Sequence, residues 1–486
     1  MTSVQVAIIG GGPGGYAAAF LAADLGLTVA LIDPEANPGG VCVYRGCIPS
    51  KALLHVAQVI DESRRAKAWG VDFGEPKIDL AKLRAFKDAV VARLTGGTGQ
   101  LAKIRKVQYL RGHAEIVDAH TLRVKLVSGG PGSPGHPGSP GSDETIQFEH
   151  AIIATGSMPA IPPALAVADP RVMDSTAALD LPDVPKSLLV VGGGYIGLEL
   201  GTVYARLGSS VTVVEMTDGL LPGADRDLVD VLATRVGQTM KAVLLKTRVV
   251  QMKAEPKGIR VTFEGAAGSD APKEPLFDRV LVAVGRRPNA SVPGLDRTRV
   301  RVNDRGFISV DEQMRTAEPS IFAIGDVVGE PMLAHKASHE GRVAVEVIAG
   351  SNVAFQPRAI PAVVFTDPEL AWCGLTEAQA KKDNRPVVIA KFPWAASGRA
   401  ITLDRTDGLT KLVLDADTGL VLGVGMVGPG AGELIAEGVL AVEMGATATD
   451  LKLSIHPHPT LTETVMESAE VFFGQATHVY RPLKHK

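Results

Sequence analysis

The chain is predicted to be an α/β protein in which one strand–turn–helix unit is built twice, followed by a separate α+β domain. Three observations carry this. An apolar run meets a glycine cluster and then an alanine- or leucine-rich stretch at residues 6–23, and the same pattern recurs at residues 187–207. Two more apolar runs, 151–156 and 280–285, read as buried strands ending in glycine. From about Phe355 onward, strand patterns at 362–365 and 420–427 mix with helical ones at 433–444 and 461–473, as in an α+β domain.

The bulk numbers narrow the class. A chain of 486 residues, at roughly 100–200 residues per domain, suggests about three or four domains. Fifty basic against 53 acidic residues leave a net charge of −3, which offers no footprint for nucleic acid or an anionic membrane. Three cysteines exclude a secreted disulfide scaffold and allow one functional pair and a spare. Val4 to Ile9 reads as a strand without a basic leader, and no apolar run reaches about 18 residues, so a cytoplasmic protein without a membrane span is expected. Residues 128–142, nearly all glycine, serine and proline, read as a flexible surface loop joining two strands.

The repeated unit points to a ligand class. A lone glycine motif is weak evidence, but Gly10, Gly12 and Gly15 stand where strand meets helix, and Asp33 follows Gly10 by 23 residues. The first glycine permits the tight turn and the second lets the backbone approach a pyrophosphate. The third lets helix and strand pack closely, and the helix N-terminus attracts the phosphates. An acid at the end of the second strand accepts hydrogen bonds from ribose hydroxyls. Gly192, Gly194, Gly197 and Glu215 repeat the pattern, again with 23 residues between first glycine and acid. Two Rossmann-like dinucleotide-binding units are therefore expected. Met216-Thr217-Asp218 after Glu215 supplies no cation for a 2′-phosphate, which favours NAD over NADP.

Cys42 and Cys47 lie in Gly39-Gly40-Val41-Cys42-Val43-Tyr44-Arg45-Gly46-Cys47-Ile48-Pro49-Ser50-Lys51. On a regular helix, residues five apart have Cα atoms about 8–9 Å apart, and a disulfide needs less than about 7 Å. A bond between them requires a distorted turn, which Gly46 and Pro49 would permit. A redox pair, a zinc half-site and two buried thiols all remain open, although zinc lacks a second ligand pair. Cys373 reads as a small core residue. In His456-Pro457-His458-Pro459-Thr460-Leu461-Thr462-Glu463, each proline biases the preceding histidine toward extended geometry, and His458-Pro459 is a candidate cis bond. A histidine with a carboxylate partner can exchange protons with a thiol. Thr460 and Glu463 also match a helix capping box.

Together with Ala323-Ile324-Gly325-Asp326 and Met332-Leu333-Ala334-His335-Lys336-Ala337, these segments resemble the pyridine nucleotide–disulfide oxidoreductases from Val6 to about Phe473. The resemblance implies an FAD-binding domain at 1–158, an NAD-binding domain at 159–284, a second FAD-binding segment at 285–355 and a dimerisation domain at 356–486. It makes Cys42 the interchange thiol of a redox-active disulfide and Cys47 the thiol lying against the flavin. His458, held by Glu463, would act on the other subunit's disulfide, hence a homodimer. Lys51 and Glu199 would form an ion pair near the reactive end of the flavin. Asp326, Ala334, Ala114 and Gly156 are implied as FAD contacts, Val249 and Gly285 as NAD contacts, and no metal is implied.

The activity implied is oxidation of a protein-bound dihydrolipoyl dithiol with reduction of NAD⁺. Its partners would be the lipoyl domains and acyltransferase core of a 2-oxo acid dehydrogenase complex, or a lipoyl carrier protein. Glutathione-like or mercuric reductases are alternatives, against which stand Glu215 and the lack of a further cysteine pair. A docking subunit with incidental diaphorase activity is another, against which stand Cys42, Cys47 and His458. Two departures from the family pattern are Val43-Tyr44-Arg45 between the cysteines and Pro457 before His458. A cation at Arg45 is expected to stabilise a thiolate and shift the disulfide potential.

Overall fold

Parallel strands covered on both faces need side chains that are apolar throughout, and both units begin that way. In the computed structural model, which describes residues 2–127, 143–265 and 275–480, strand Thr2–Ile9 is enclosed between Val29–Asp33 and Asp143–Ile153. Gln108–Asp118 and Ile321–Ala323 extend this parallel sheet at its two sides. Thr121–Leu126 bridges the long strands Gln108–Asp118 and Asp143–Ile153 in antiparallel register. Segment 128–142 lies outside the described residues.

The second sheet repeats the order of roles. Ser187–Val191 is flanked by Ser210–Val214 and Arg279–Val282, with Ala242–Leu244 and Val172–Met173 outside them, all parallel. Each expected glycine-ending strand thus stands beside the first strand of its own unit. In helix Pro13–Asp24, proline occupies the first turn, where its missing N–H costs nothing, and Ala18, Ala19 and Ala22 are buried. Methyl-sized side chains let this helix lie close against helix Ala334–Ile348. That helix and Ile321–Ala323 carry residues 285–355 back onto the first sheet.

The C-terminal region is an antiparallel sheet in the order Ala362–Val364, Glu369–Gly374, Val421–Gly428, Leu409–Asp415, Val387–Pro393. Helix Ala431–Met444 packs on its second and third strands, and helix Glu463–Phe472 on its last two. Cys373 sits inside this core, where burial pushes its thiol up to about 12. Among the described residues, no helix is long and apolar enough to cross a membrane.

Buried ion pairs join the three parts. Asp61, on the helix that begins at Cys47, lies 2.8 Å from Arg206 and 2.9 Å from Arg235 of the second unit. Arg235 also faces Asp367 of the C-terminal region, which Arg405 holds at 2.6 Å. Breaking such a pair by removing one partner costs about 3–5 kcal/mol, so the network fixes how the units are set around the cleft between them.

Candidate active site

The two glycine turns are built alike. Gly10 has φ +108° and Gly192 φ +112°, and a Cβ at either would lie 2.4 Å from a carbonyl oxygen, of Ala154 or Ala283. A Cβ on Gly15 or Gly197 would strike the carbonyl of Gly10 or Gly192, so strand and helix meet there without side chains between them. Gly12 and Gly194 stand at the N-termini of helices Pro13–Asp24 and Tyr195–Leu207; a Cβ on Gly12 would touch the Gly40 backbone at 4.0 Å, and one on Gly194 would stand in open space. The acids match as well. Asp33 accepts from the N–H of Gly11 at 2.6 Å and of Glu35 at 2.9 Å, and Glu215 from those of Gly193 at 2.7 Å and Thr217 at 2.8 Å. Each acid therefore shapes its loop. Burial pushes the Asp33 carboxyl up, against the Gly11 N–H and the charges of Arg45 and His113.

The turn between the cysteines is distorted at Gly46. Helix Gly40–Arg45 ends there (φ −143°, ψ −115°) and helix Cys47–Arg65 begins at the next residue. Pro49 falls in the first turn of the new helix, where it is tolerated. Cys42 and Cys47 are free thiols, hydrogen-bonded to each other. The bond from Cys42 outweighs burial and, helped by Lys51, brings Cys47 down to about 7; Cys42 is pushed up by the same bond and by burial. A thiol lowered this far is partly ionised at neutral pH, where an ordinary cysteine is not. Neither cysteine joins a metal-binding cluster among the described residues; the one group of acids close enough, Asp225, Asp227 and Glu377, surrounds the Lys411 ammonium.

Lys51, one turn after Cys47, lies 2.8 Å from buried Glu199, whose other oxygen accepts from the Phe365 N–H at 3.0 Å. Its ammonium also lies 4.3 Å from the centre of the Phe365 ring. The cation beside the thiols is therefore Lys51. Arg45, expected to serve them, is paired with Glu35, and Tyr44 bonds both the N–H and the carbonyl of Asn37. The unusual residues between the cysteines tie down the loop after Asp33, which corrects the expectation for Arg45.

These groups line one cleft of about 620 Å³, whose walls also include Gly10, Gly12, Ala114, Gly156, Asp326 and Ala334. Gly156 (φ +70°) leaves open space where a side chain would stand. Sequence reasoning missed the groups that hold Asp326. Ser157 donates to it at 2.5 Å, and Arg286 donates to the Ser157 hydroxyl and carbonyl at 2.7 Å each. Buried Lys336 and Glu340 pair at 2.7 Å, and Glu340 accepts from the Gly325 N–H. A helix N-terminus at one end, a thiolate with its lysine at the other and a channel of small residues between them fit an extended dinucleotide such as FAD.

The second glycine loop faces outward. Met216 and Val284 around it are exposed, Gly285 (φ +123°) has open space, and Val249 packs its side chain into the core beneath; Tyr195, at the start of its helix, turns to line the first cleft. His458 and Glu463 line no part of the cleft. His458 Nδ1 lies 2.9 Å from Glu463 Oε1, whose other oxygen accepts from the Thr460 N–H at 2.8 Å. Glu463 so does half the work of a capping box while holding the histidine. The His458–Pro459 bond is cis, and the imidazole stands in the open.

Compared with known proteins, residues 4–341 match the model for pyridine nucleotide-disulphide oxidoreductases, and residues 360–469 match that family's dimerisation domain. The chain belongs to this family. It is 50% identical over 473 residues to a dihydrolipoyl dehydrogenase of Haemophilus influenzae, covering 97% of this chain and 96% of that one. It is 48% identical to the dihydrolipoyl dehydrogenase of Vibrio parahaemolyticus, with the same coverage. Among solved structures it is similar to LpdA from Mycobacterium tuberculosis (28% identity, TM-score 0.86, 97% of this chain and 100% of that one). It is likewise similar to the HOCl-induced flavoprotein disulfide reductase RclA from Escherichia coli, in a Cu(II) complex (28%, 0.83, 97% and 100%). Membership makes the chain an oxidoreductase, implies FAD and NAD as its cofactors, and supports a homodimer.

Proposed function

We propose that the protein is a dihydrolipoyl dehydrogenase, oxidising a dihydrolipoyl dithiol to the cyclic disulfide while NAD⁺ is reduced to NADH and one proton is released. The observation that carries this reading is the Cys42–Cys47 pair set in the cleft of the first glycine loop, with one thiol lowered to about 7 beside Lys51. We assign residues 1–158 and 285–355 to FAD, 159–284 to NAD and 356–486 to the dimer contact. The lipoyl group belongs to a 2-oxo acid dehydrogenase complex or a lipoyl carrier protein, and the setting is cytoplasmic.

In the oxidised enzyme the two cysteines form a disulfide. A lipoyl thiol gives its proton to His458 of the partner subunit, and the resulting thiolate attacks Cys42, releasing Cys47 as thiolate. The second lipoyl thiol then attacks the first lipoyl sulfur and passes its proton to the departing Cys42, so that lipoyl leaves as a disulfide and the enzyme keeps Cys42 as thiol and Cys47 as thiolate. Lys51 stabilises the Cys47 thiolate, and Glu199 holds Lys51 in place. FAD, held in the cleft by the Gly10–Gly15 loop, Ala114, Gly156, Asp326 and Ala334, would supply two-electron redox chemistry there. Gly12 and Gly194 present helix N-termini to the two pyrophosphates, while Glu215 would repel a 2′-phosphate.

The test is NAD⁺ reduction by dihydrolipoamide in wild type and Cys47→Ser, with NADP⁺ run in parallel. Activity with NAD⁺ that the substitution abolishes is expected. An FAD-loaded dimer inert toward dihydrolipoamide would overturn the substrate assignment.

A further inference from the structure

Residues 34–39 run from the acid of the first glycine unit to the helix that carries Cys42, and Pro34 and Glu35 form part of the wall of the first cleft. The loop is tied along its length. Arg111 donates to the Pro34 carbonyl at 3.1 Å and Tyr109 to that of Glu35 at 3.0 Å. Thr98 donates to the Pro38 carbonyl at 2.5 Å, and the Gly39 N–H to that of Gly11 at 2.7 Å. A Cβ on Gly99 would strike the Asn37 side chain, so Asn37 is seated against helix Leu80–Ile104.

These ties fix the loop to the body of the first unit. Two more come from across the cleft, from helix Gly40–Arg45, whose Gly40, Val41, Cys42 and Arg45 line it. Tyr44 accepts from the Asn37 N–H at 3.1 Å and donates to the Asn37 carbonyl at 3.0 Å, and Arg45 pairs with Glu35. This helix is six residues long, bounded by Gly39 and Gly40 at one end and by Gly46 at the other. Glycines leave the backbone freest to turn, so a segment between them swings unless its side chains moor it. Tyr44 and Arg45 are the moorings.

We propose that Tyr44 and Arg45 are positioning residues of the flavin site, clamping residues 34–39 to the cysteine helix and so closing the cleft over the end of bound FAD that Asp33 receives. This rests on the assignment of the first cleft to FAD. The clamp governs how slowly the cofactor leaves. It joins one wall of the cleft to the other beside Asp33, so FAD departs only when both moorings open.

The experiment follows the rise of flavin fluorescence after dilution of FAD-loaded dimers. Wild type is compared with Tyr44→Phe, Arg45→Val and the exchanged pair Glu35→Arg with Arg45→Glu. Release is expected to be about tenfold faster in Tyr44→Phe, which loses two hydrogen bonds, and about fivefold faster in Arg45→Val, which loses a partly exposed ion pair. The exchanged pair is expected within about twofold of wild type, because it restores the interaction and not the residues. Release as slow as wild type in both single variants, or an exchanged pair as fast as Arg45→Val, would overturn the proposal. Gly10→Val run alongside keeps the two assignments apart, because a Gly10→Val dimer that still holds its flavin refutes the first cleft as the FAD site itself.

Discussion

In the first unit Asp33 accepts from the Gly11 and Glu35 N–H groups, and in the second Glu215 accepts from those of Gly193 and Thr217. Both first glycines are left-handed, and both third glycines touch the first. What differs is what stands before them. The first loop opens into a cleft of about 620 Å³ walled by the cysteine helix, the Gly325 turn and the start of helix Ala334–Ile348. The second opens outward, among exposed Met216 and Val284. The same anion-binding turn is thus made retentive or exchangeable by its cover, which suits a flavin kept through turnover and a nicotinamide that comes and goes.

The largest effects come from breaking one copy at a time. Gly10→Val forces a Cβ into a carbonyl at a left-handed residue, a cost of about 1–3 kcal/mol from strain alone, and the protein is expected to emerge without visible flavin absorbance. Gly192→Val carries the same local insult but should keep its flavin and lose NADH binding by about a hundredfold or more. Loss of flavin from both would erase the distinction between the loops. Next in size, Glu215→Ser removes the carboxylate that would repel a 2′-phosphate, so the NAD⁺/NADP⁺ ratio of kcat/KM should fall by about tenfold.

Smaller effects sharpen the picture of the covered site. In the reduced enzyme the thiol pair should lose one proton near pH 7. Its alkylation rate should rise about tenfold per pH unit below that point and level off above it. A midpoint near 9 would contradict the lowered Cys47. Lys51→Gln should shift the dithiol potential by about 30 mV, or 1.4 kcal/mol, whereas Arg45→Val should leave it nearly unchanged, because Arg45 serves Glu35. Equal shifts in the two variants would return Arg45 to the role its position in the sequence suggested.

Features set by local backbone demands were legible in the sequence. Gly10, Gly15, Gly192 and Gly197 are readable because only glycine meets the turn and the close approach, and Cys42–Cys47 because the break at Gly46 lies within the motif. Contacts between residues far apart in the chain were not. Asp326 depends on Ser157 and Arg286, and Arg206, Arg235 and Arg405 converge on Asp61 and Asp367; none of these has a spacing to betray it. Arg45 shows the same limit, since its charge was visible in the sequence and its partner was not. The family resemblance implied the pairing of His458 with Glu463, which the residues alone left open between partner and helix cap, and their place outside the cleft needed coordinates.

That last placement carries the central claim, that each site joins the cysteines of one subunit to the histidine of the other. Hybrid dimers made from Cys47→Ser and His458→Gln subunits test it directly. Each homodimer should be inactive toward dihydrolipoamide, and the hybrid should regain about half the wild-type rate, because one of its two sites then has both intact partners. A hybrid as inactive as its parents would place the base and the cysteines in the same chain and contradict the account.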